Sequence, residues 1–66
     1  MSVKKVIEVL AESNKSWEDA AQQAVTKAAA TVHNIRSIYI KDHNASVEEG
    51  KIVAYRITAK ISFELD

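Results

Sequence analysis

The sequence predicts an α+β fold with the order β-α-β-β: a three-stranded antiparallel sheet partly wrapped around one amphipathic helix. Three observations predict it. Residues 53–65 place an apolar side chain at every odd position and, from Arg56 on, a polar one at every even position, residues 17–32 repeat apolar side chains at a helical period, and the chain has one glycine and no proline. Strict alternation is the mark of a strand with one buried face, and a 3.6-residue repeat is the mark of a helix with one buried stripe. Scarce glycine and proline imply long elements joined by few turns.

The first element is VKKVIEVL, residues 3–10. Its β-branched residues favour an extended chain. Its alternation is imperfect, because Val6 and Ile7 are adjacent and so are Val9 and Leu10. That pattern predicts a strand covered on both faces. A polar segment, 11–16, then leads into the helix. Ser16 and Asp19 form a variant of the capping box, and Glu18 and Asp19 sit in the first turn, where the helix dipole favours negative charge. The apolar stripe runs through Trp17, Ala20, Ala21, Ala24, Val25, Ala28, Ala29 and Val32. A stripe made mostly of alanine lets the helix lie close to a sheet. Trp17, in phase with it, reads as a core anchor rather than a ligand-stacking ring. His33 and Asn34 read as cap and turn residues.

The second strand is IRSIYIK, residues 35–41, with Ile38 and Ile40 on one face and Ser37, Tyr39 and Lys41 on the other. Residues 42–50 read as a polar connection whose turn is the EEG at 48–50, with Gly50 free to take a positive φ. The last strand carries Val53, Tyr55, Ile57, Ala59, Ile61, Phe63 and Leu65 on one face and Ala54, Arg56, Thr58, Lys60, Ser62 and Glu64 on the other. Placing it between the other two strands makes both its neighbours antiparallel and puts the helix on its odd-numbered face. At about 3.4 Å per residue this strand is roughly 44 Å long. A compact chain of this size has a radius of gyration near ~11 Å and a diameter under about 30 Å. The strand therefore overhangs its own fold, and its free edge and uncovered face call for a second copy of the chain.

With 66 residues the chain is one domain, 1–66, and small enough to need support beyond its own core. Cysteine is absent, which excludes disulfides and thiolate metal sites and fits a cytoplasmic location. Nine basic and nine acidic residues are spread along the chain, with no basic stripe, so neither the charge nor its layout points to nucleic acid. No apolar run is long enough to span a membrane, and no long apolar segment follows Lys4 and Lys5 as in a signal peptide. There is no glycine-rich phosphate loop, no HExxH and no nucleophile with a partner base, which argues against an enzyme. His33 and His43 lie at opposite ends of a strand, too far apart to share a metal. Asp42, Asn44, Glu48 and Glu49 carry oxygens that calcium uses, without the calcium-hand spacing, and read as a solvated loop.

Several motifs along the chain carry a resemblance: the KKVIEV start, the S-x-x-SW-x-x-A-x-x-x-A pattern from Ser13 into the helix, TVHNI at 31–35 and YRITAKISFELD at 55–66. Together and in this order they resemble the dodecin family over essentially the whole chain. The resemblance implies a three-stranded sheet around one helix and twelve copies assembled into a hollow sphere. It also implies binding of flavins such as riboflavin, FMN or lumichrome between subunits, for storage or buffering rather than catalysis. Ser37 stands where the family's flavin-binding members stack a tryptophan, and Arg56 stands where they place a flavin-bonding glutamine. Asp42 matches the family's acidic residue at the end of the second strand. The chain is thus closer to the flavin-poor branch described as calcium dodecins. The resemblance implies Ser37 and Arg56 as cofactor-binding positions and Asp42 as a metal position, and Tyr39, which shares the face of Ser37, is a further cofactor-binding candidate; calcium and flavin are the two cofactors in view, with the usual flavin binding weak or lost. Three readings follow: a homododecameric shell that binds, stores or buffers a small ligand or ion; an assembly that is purely structural; and a flavin store that uses another aromatic, Tyr39. A further reading of Arg56 is an ion pair across a subunit interface, for instance with Glu64 of another chain.

Overall fold

The computed structural model describes residues 2–66. The elements run β1 (Lys4–Ser13), α1 (Trp17–Ala29), β2 (Ile35–Glu48) and β3 (Lys51–Glu64). The sheet order is β1-β3-β2, and both pairings are antiparallel. The β-α-β-β architecture and the central place of the last strand are as the patterning predicts.

The core forms where the odd-numbered face of β3 meets the alanine stripe of α1. Ile57, Ala59 and Ile61 are buried on the strand, and Ala20 and Ala24 on the helix. Val9, Ala11, Trp17, Ala21 and Ile38 pack around the cluster of Ala20, Ile57 and Ala59. Small residues on both sides of this contact bring the two backbones close, and the isoleucines supply the volume. Burying each isoleucine contributes about 1.5–3 kcal/mol. A larger side chain at Ala20 has no free space and would cost about 1–3 kcal/mol through overpacking.

The helix starts as predicted. Ser16 is extended, with φ −170°, and its hydroxyl accepts the Asp19 amide proton at 2.9 Å. Only half of the capping box forms. The Asp19 carboxylate turns instead to Ser13 Oγ, which donates to it at 2.5 Å, and to Gln23 Nε2 at 2.6 Å. Ser13 is consequently buried at the end of β1, and that strand runs three residues beyond the 3–10 expected for it. The helix ends at Ala29 rather than Val32. The chain then tightens, with the amides of Thr31 and Val32 both donating to the Ala28 carbonyl. Asn34 takes φ 62° and redirects the backbone into β2.

Two other expectations are corrected. β1 is covered on one face only. Ile7, Val9 and Ala11 are half-buried towards α1, while Val6 and Leu10 on the opposite face are exposed, Leu10 to 81%. The segment 42–50 is not a polar loop. β2 continues to Glu48, and only Glu49 and Gly50 form the turn, with φ 52° and 77°. Positive φ at both central residues makes a type I′ hairpin, whose twist matches that of the strands it joins. Alternation in β2 is hidden because its register against β3 slips between Ile35 and Ser37, between Ile40 and Asp42, and between Ser46 and Val47. The first two slips insert Arg36 and Lys41 into β2 and reverse which of its parities faces the helix, and the third inserts Val53 into β3.

The overhang is large. The molecule measures 51 × 20 × 13 Å, with a radius of gyration of 13.5 Å. A 13-residue helix is only about 20 Å long. β1 stops opposite Tyr55, so the far end of the β2–β3 hairpin is a two-stranded ribbon with no helix beneath it.

Candidate functional site

The four predicted site residues all lie on the sheet face turned away from α1. Ser37 pairs with Ser62, Tyr39 with Lys60, Asp42 with Thr58, and Asn44 with Arg56. The β2 slip before Asp42 is what keeps Asp42 and Asn44 on the same face as Ser37 and Tyr39, despite their change of parity. The slip equally turns His43 to the helix side, opposite Ile57.

Within one chain these residues do not converge. Arg56 and Ser62 are six residues apart on β3, so Ser37 and Arg56 are separated by about 20 Å. A single flavin ring reaches both positions only if two chains contribute. Ser37 Oγ is 2.5 Å from Ser62 Oγ, so the two hydroxyls satisfy each other. Tyr39 is 63% exposed and presents an open ring next to them.

Arg56 is held by three partners. Its Nε donates to Asn44 Oδ1 at 3.0 Å, and one terminal nitrogen donates to Ser46 Oγ at 2.6 Å and to Glu12 Oε1 at 3.1 Å. The guanidinium thus finds its acid inside its own chain, across β3 from β1, and Glu64, the acid expected from another chain, is paired with Arg36 at 2.8 Å. The Arg36 hydrogen bond and charge hold the Glu64 carboxyl below its ordinary value of 4.5. A third pair, Lys41 to Glu8 at 3.3 Å, joins β2 to β1. Fixed in this way, Arg56 offers no acceptor and a partly occupied fork of donors, which suits an anion better than a flavin ring edge.

Calcium takes 6–8 oxygen ligands. Around Asp42 one chain supplies its carboxylate and the neighbouring Thr58 hydroxyl on this face, and the Asn44 amide oxygen is committed to Arg56. Among the described residues no group of three or more His, Asp or Glu side chains comes together for a metal. The donor chemistry at Asp42 suits calcium, and the number of donors in one chain does not complete its shell.

Sequence reasoning missed two features. The first is Glu12, Asn44 and Ser46 as the partners of Arg56, which depend on a cross-strand register that no local pattern encodes. The second is an aromatic group at the helix start. The Trp17 ring meets His43 edge-on at 5.0 Å and Tyr55 at 4.9 Å, and its Nε1 donates to the Asn44 carbonyl at 2.9 Å. These contacts border a cleft of about 220 Å³ between α1 and β2, lined by Trp17, Glu18, Ala21, Ile40, His43 and Ile57. Trp17 therefore anchors the helix start as predicted, but half-buried rather than enclosed.

Comparison with known proteins decides the family. The Dodecin family model matches residues 3–66. The chain belongs to the dodecin family. It is 37% identical to calcium dodecin from Mycobacterium tuberculosis over 65 residues, covering 98% of this chain and 92% of that protein. The crystal structure of a calcium dodecin from the same organism, described as having a novel calcium-binding site, superposes with a TM-score of 0.82 at 39% identity, over 98% of this chain and 93% of the other. A dodecin variant from Thermus thermophilus superposes with a TM-score of 0.93 over 100% of this chain and 98% of that one, at 23% identity, which supports the shared fold alone. In this dodecin no helix among the described residues is long and apolar enough to cross a membrane.

Proposed function

We propose that this dodecin works as a non-enzymatic closed homo-oligomer, a dodecamer, that binds and buffers calcium at sites shared between subunits, with Asp42 as the protein's acidic ligand. The observation that carries the reading is the mismatch between a molecule 51 Å long and its 13-residue helix. Leu10, Val47 and Ile52 remain exposed on it, and further copies of the chain are the natural cover. The calcium assignment is supported by the greater sequence identity to calcium dodecin than to the Thermus thermophilus dodecin, and by the exposed Asp42, whose shell needs oxygens from a second subunit. Native mass spectrometry tests the assembly: one dominant species of twelve chains is expected, and a monomer at micromolar concentration overturns it. Calorimetric titration with calcium tests the ligand. Saturable binding that Asp42→Asn abolishes while leaving the assembly intact is expected; unchanged binding in that variant removes Asp42 from the site.

A second reading keeps a flavin. Tyr39 is exposed on the face of Ser37, and a symmetry-related pair of tyrosines offers a stacking surface for an aromatic ring.

A further inference from the structure

Two apolar features left open by the fold lie at different places along the molecule and match each other. The first is the hairpin tip. Beyond the Ser46–Ala54 pair, β3 carries an extra residue, Val53, so that Val47 pairs with Ile52. Alternation from Ala45 puts Val47 on the helix side of the sheet, and its cross-strand partner Ile52 shares that face because Val53, left unpaired by the slip, reverses the parity of β3. They extend that apolar surface beyond the start of α1, where nothing in the chain covers it, and they are 60% and 48% exposed. The second feature is a cleft of about 440 Å³ between the free edge of β1 and α1, lined by Ile7, Val9, Ala11, Ala24, Ala28 and Val32, with exposed Leu10 at its rim.

We propose that the hairpin tip of one copy inserts Val47 and Ile52 into the β1–α1 cleft of the next. The inference rests on the homo-oligomer reading above and adds to it the two surfaces that meet. Charge favours the match. Glu12 and Lys27 line the cleft and Glu48, Glu49 and Lys51 flank the tip; Glu12 is already paired with Arg56, which leaves Lys27, without an ion-pair partner among the described residues, to face the two glutamates. The chain cannot satisfy its own cleft. Ala28 lines the cleft with Ile7, Ile7 pairs with Ile61, and Ile61 is nine residues from Ile52 along β3, about 30 Å. The contact therefore joins unlike surfaces of successive copies, and such a head-to-tail contact closes into a ring when the rotation permits. The β2 edge carries two inserted residues, Arg36 and Lys41, whereas β1 pairs without a slip, which is consistent with β1 being the side that receives a neighbour.

The absence of cysteine from the sequence makes the test direct. The double variant Ile52→Cys with Ala28→Cys is oxidised under mild conditions and run on a non-reducing denaturing gel, beside each single variant. Native mass is measured on all three and on the unmodified protein. The expected result is a ladder of covalent dimers and higher rungs from the double variant only. Assembled double variant that stays unlinked with both thiols free overturns the proposal, and so does a covalent dimer from Ile52→Cys alone, which would put tip against tip. Ile52→Asp, a change on an exposed site, is the second variant. It is expected to raise the concentration at which the assembly dissociates by about tenfold or more, with the sheet signal in circular dichroism retained, and an unchanged dissociation point counts against the tip. A monomeric unmodified protein instead overturns the homo-oligomer reading itself, an outcome that the native mass separates from the others.

Discussion

The indole Nε1 of Trp17 donates to the backbone carbonyl of Asn44 at 2.9 Å, across 27 residues of sequence. This bond ties the first turn of α1 to the part of β2 that runs out towards the hairpin. The same ring lies edge-on against Tyr55 of β3, so one side chain joins the helix to two strands.

Replacing Trp17 by alanine is expected to cost about 2–4 kcal/mol, below the upper end for fully enclosed aromatic residues because the ring is half-buried. Trp17→Phe keeps most of the packing and loses the hydrogen bond, for an expected cost of about 1 kcal/mol. Urea unfolding followed by circular dichroism at one fixed chain concentration checks both. Equal losses in the two variants would mean that the hydrogen bond, not the ring, carries the anchor.

Asp19 couples acid stability to the junction between β1 and α1. The Ser13 hydroxyl, then the Gln23 amide, hold its carboxyl below the ordinary value of 3.8, against a smaller opposing effect of desolvation. A carboxyl that is more acidic when folded stabilises the fold above its unfolded pKa, and that contribution is lost as pH falls through the lowered folded value. Glu64, lowered by Arg36, acts in the same direction. Stability measured from pH 7 down to pH 3 is expected to fall less steeply below about pH 4 in Asp19→Asn than in the unmodified protein. Parallel curves would exclude Asp19 as a contributor.

Glu49 occupies the left-handed region in a turn whose other central residue is Gly50. A side chain with a Cβ loses roughly 1–2 kcal/mol there, and asparagine, which suits the first position of a type I′ turn, loses less. Glu49→Asn is expected to raise stability by about 1 kcal/mol, or roughly 4–8 °C in Tm for a domain of this size. A lower Tm at the same chain concentration would mean that the Glu49 carboxylate has a stronger role, as at a subunit contact.

Flavin binding by the unmodified protein is expected to be weak. Ser37 supplies no ring, and a stacked aromatic pair contributes about 0.5–1.5 kcal/mol beyond its buried area. Arg56 is occupied by Glu12, Asn44 and Ser46. Riboflavin and FMN titrated into the apo assembly should show little fluorescence quenching. The double variant Ser37→Trp with Arg56→Gln should bind clearly tighter. Loss of the exposed Arg56–Glu12 pair should itself change stability by less than about 1 kcal/mol. Sub-micromolar binding without the substitutions would restore the flavin reading and point to Tyr39.

What the sequence determined by itself was every element that obeys a single period. The alternation of β3 from Tyr55 onward, the alanine stripe of α1 and the Ser16 cap follow from local spacing, and they predict the strand order, the covered face and the overhang. What only the tertiary structure decided depends on register. Residues 42–48 look like a loop because bulged pairing in β2 moves the helix-facing side from Ile38 and Ile40 to His43 and Ala45, which breaks the period on which a strand is read. The burial of Ser13, the three partners of Arg56 and the shared face of Ser37 and Asp42 arise the same way. Each depends on which residue of one strand lies opposite which residue of another. That is a property of two segments far apart in the chain, and one inserted residue is enough to reverse it.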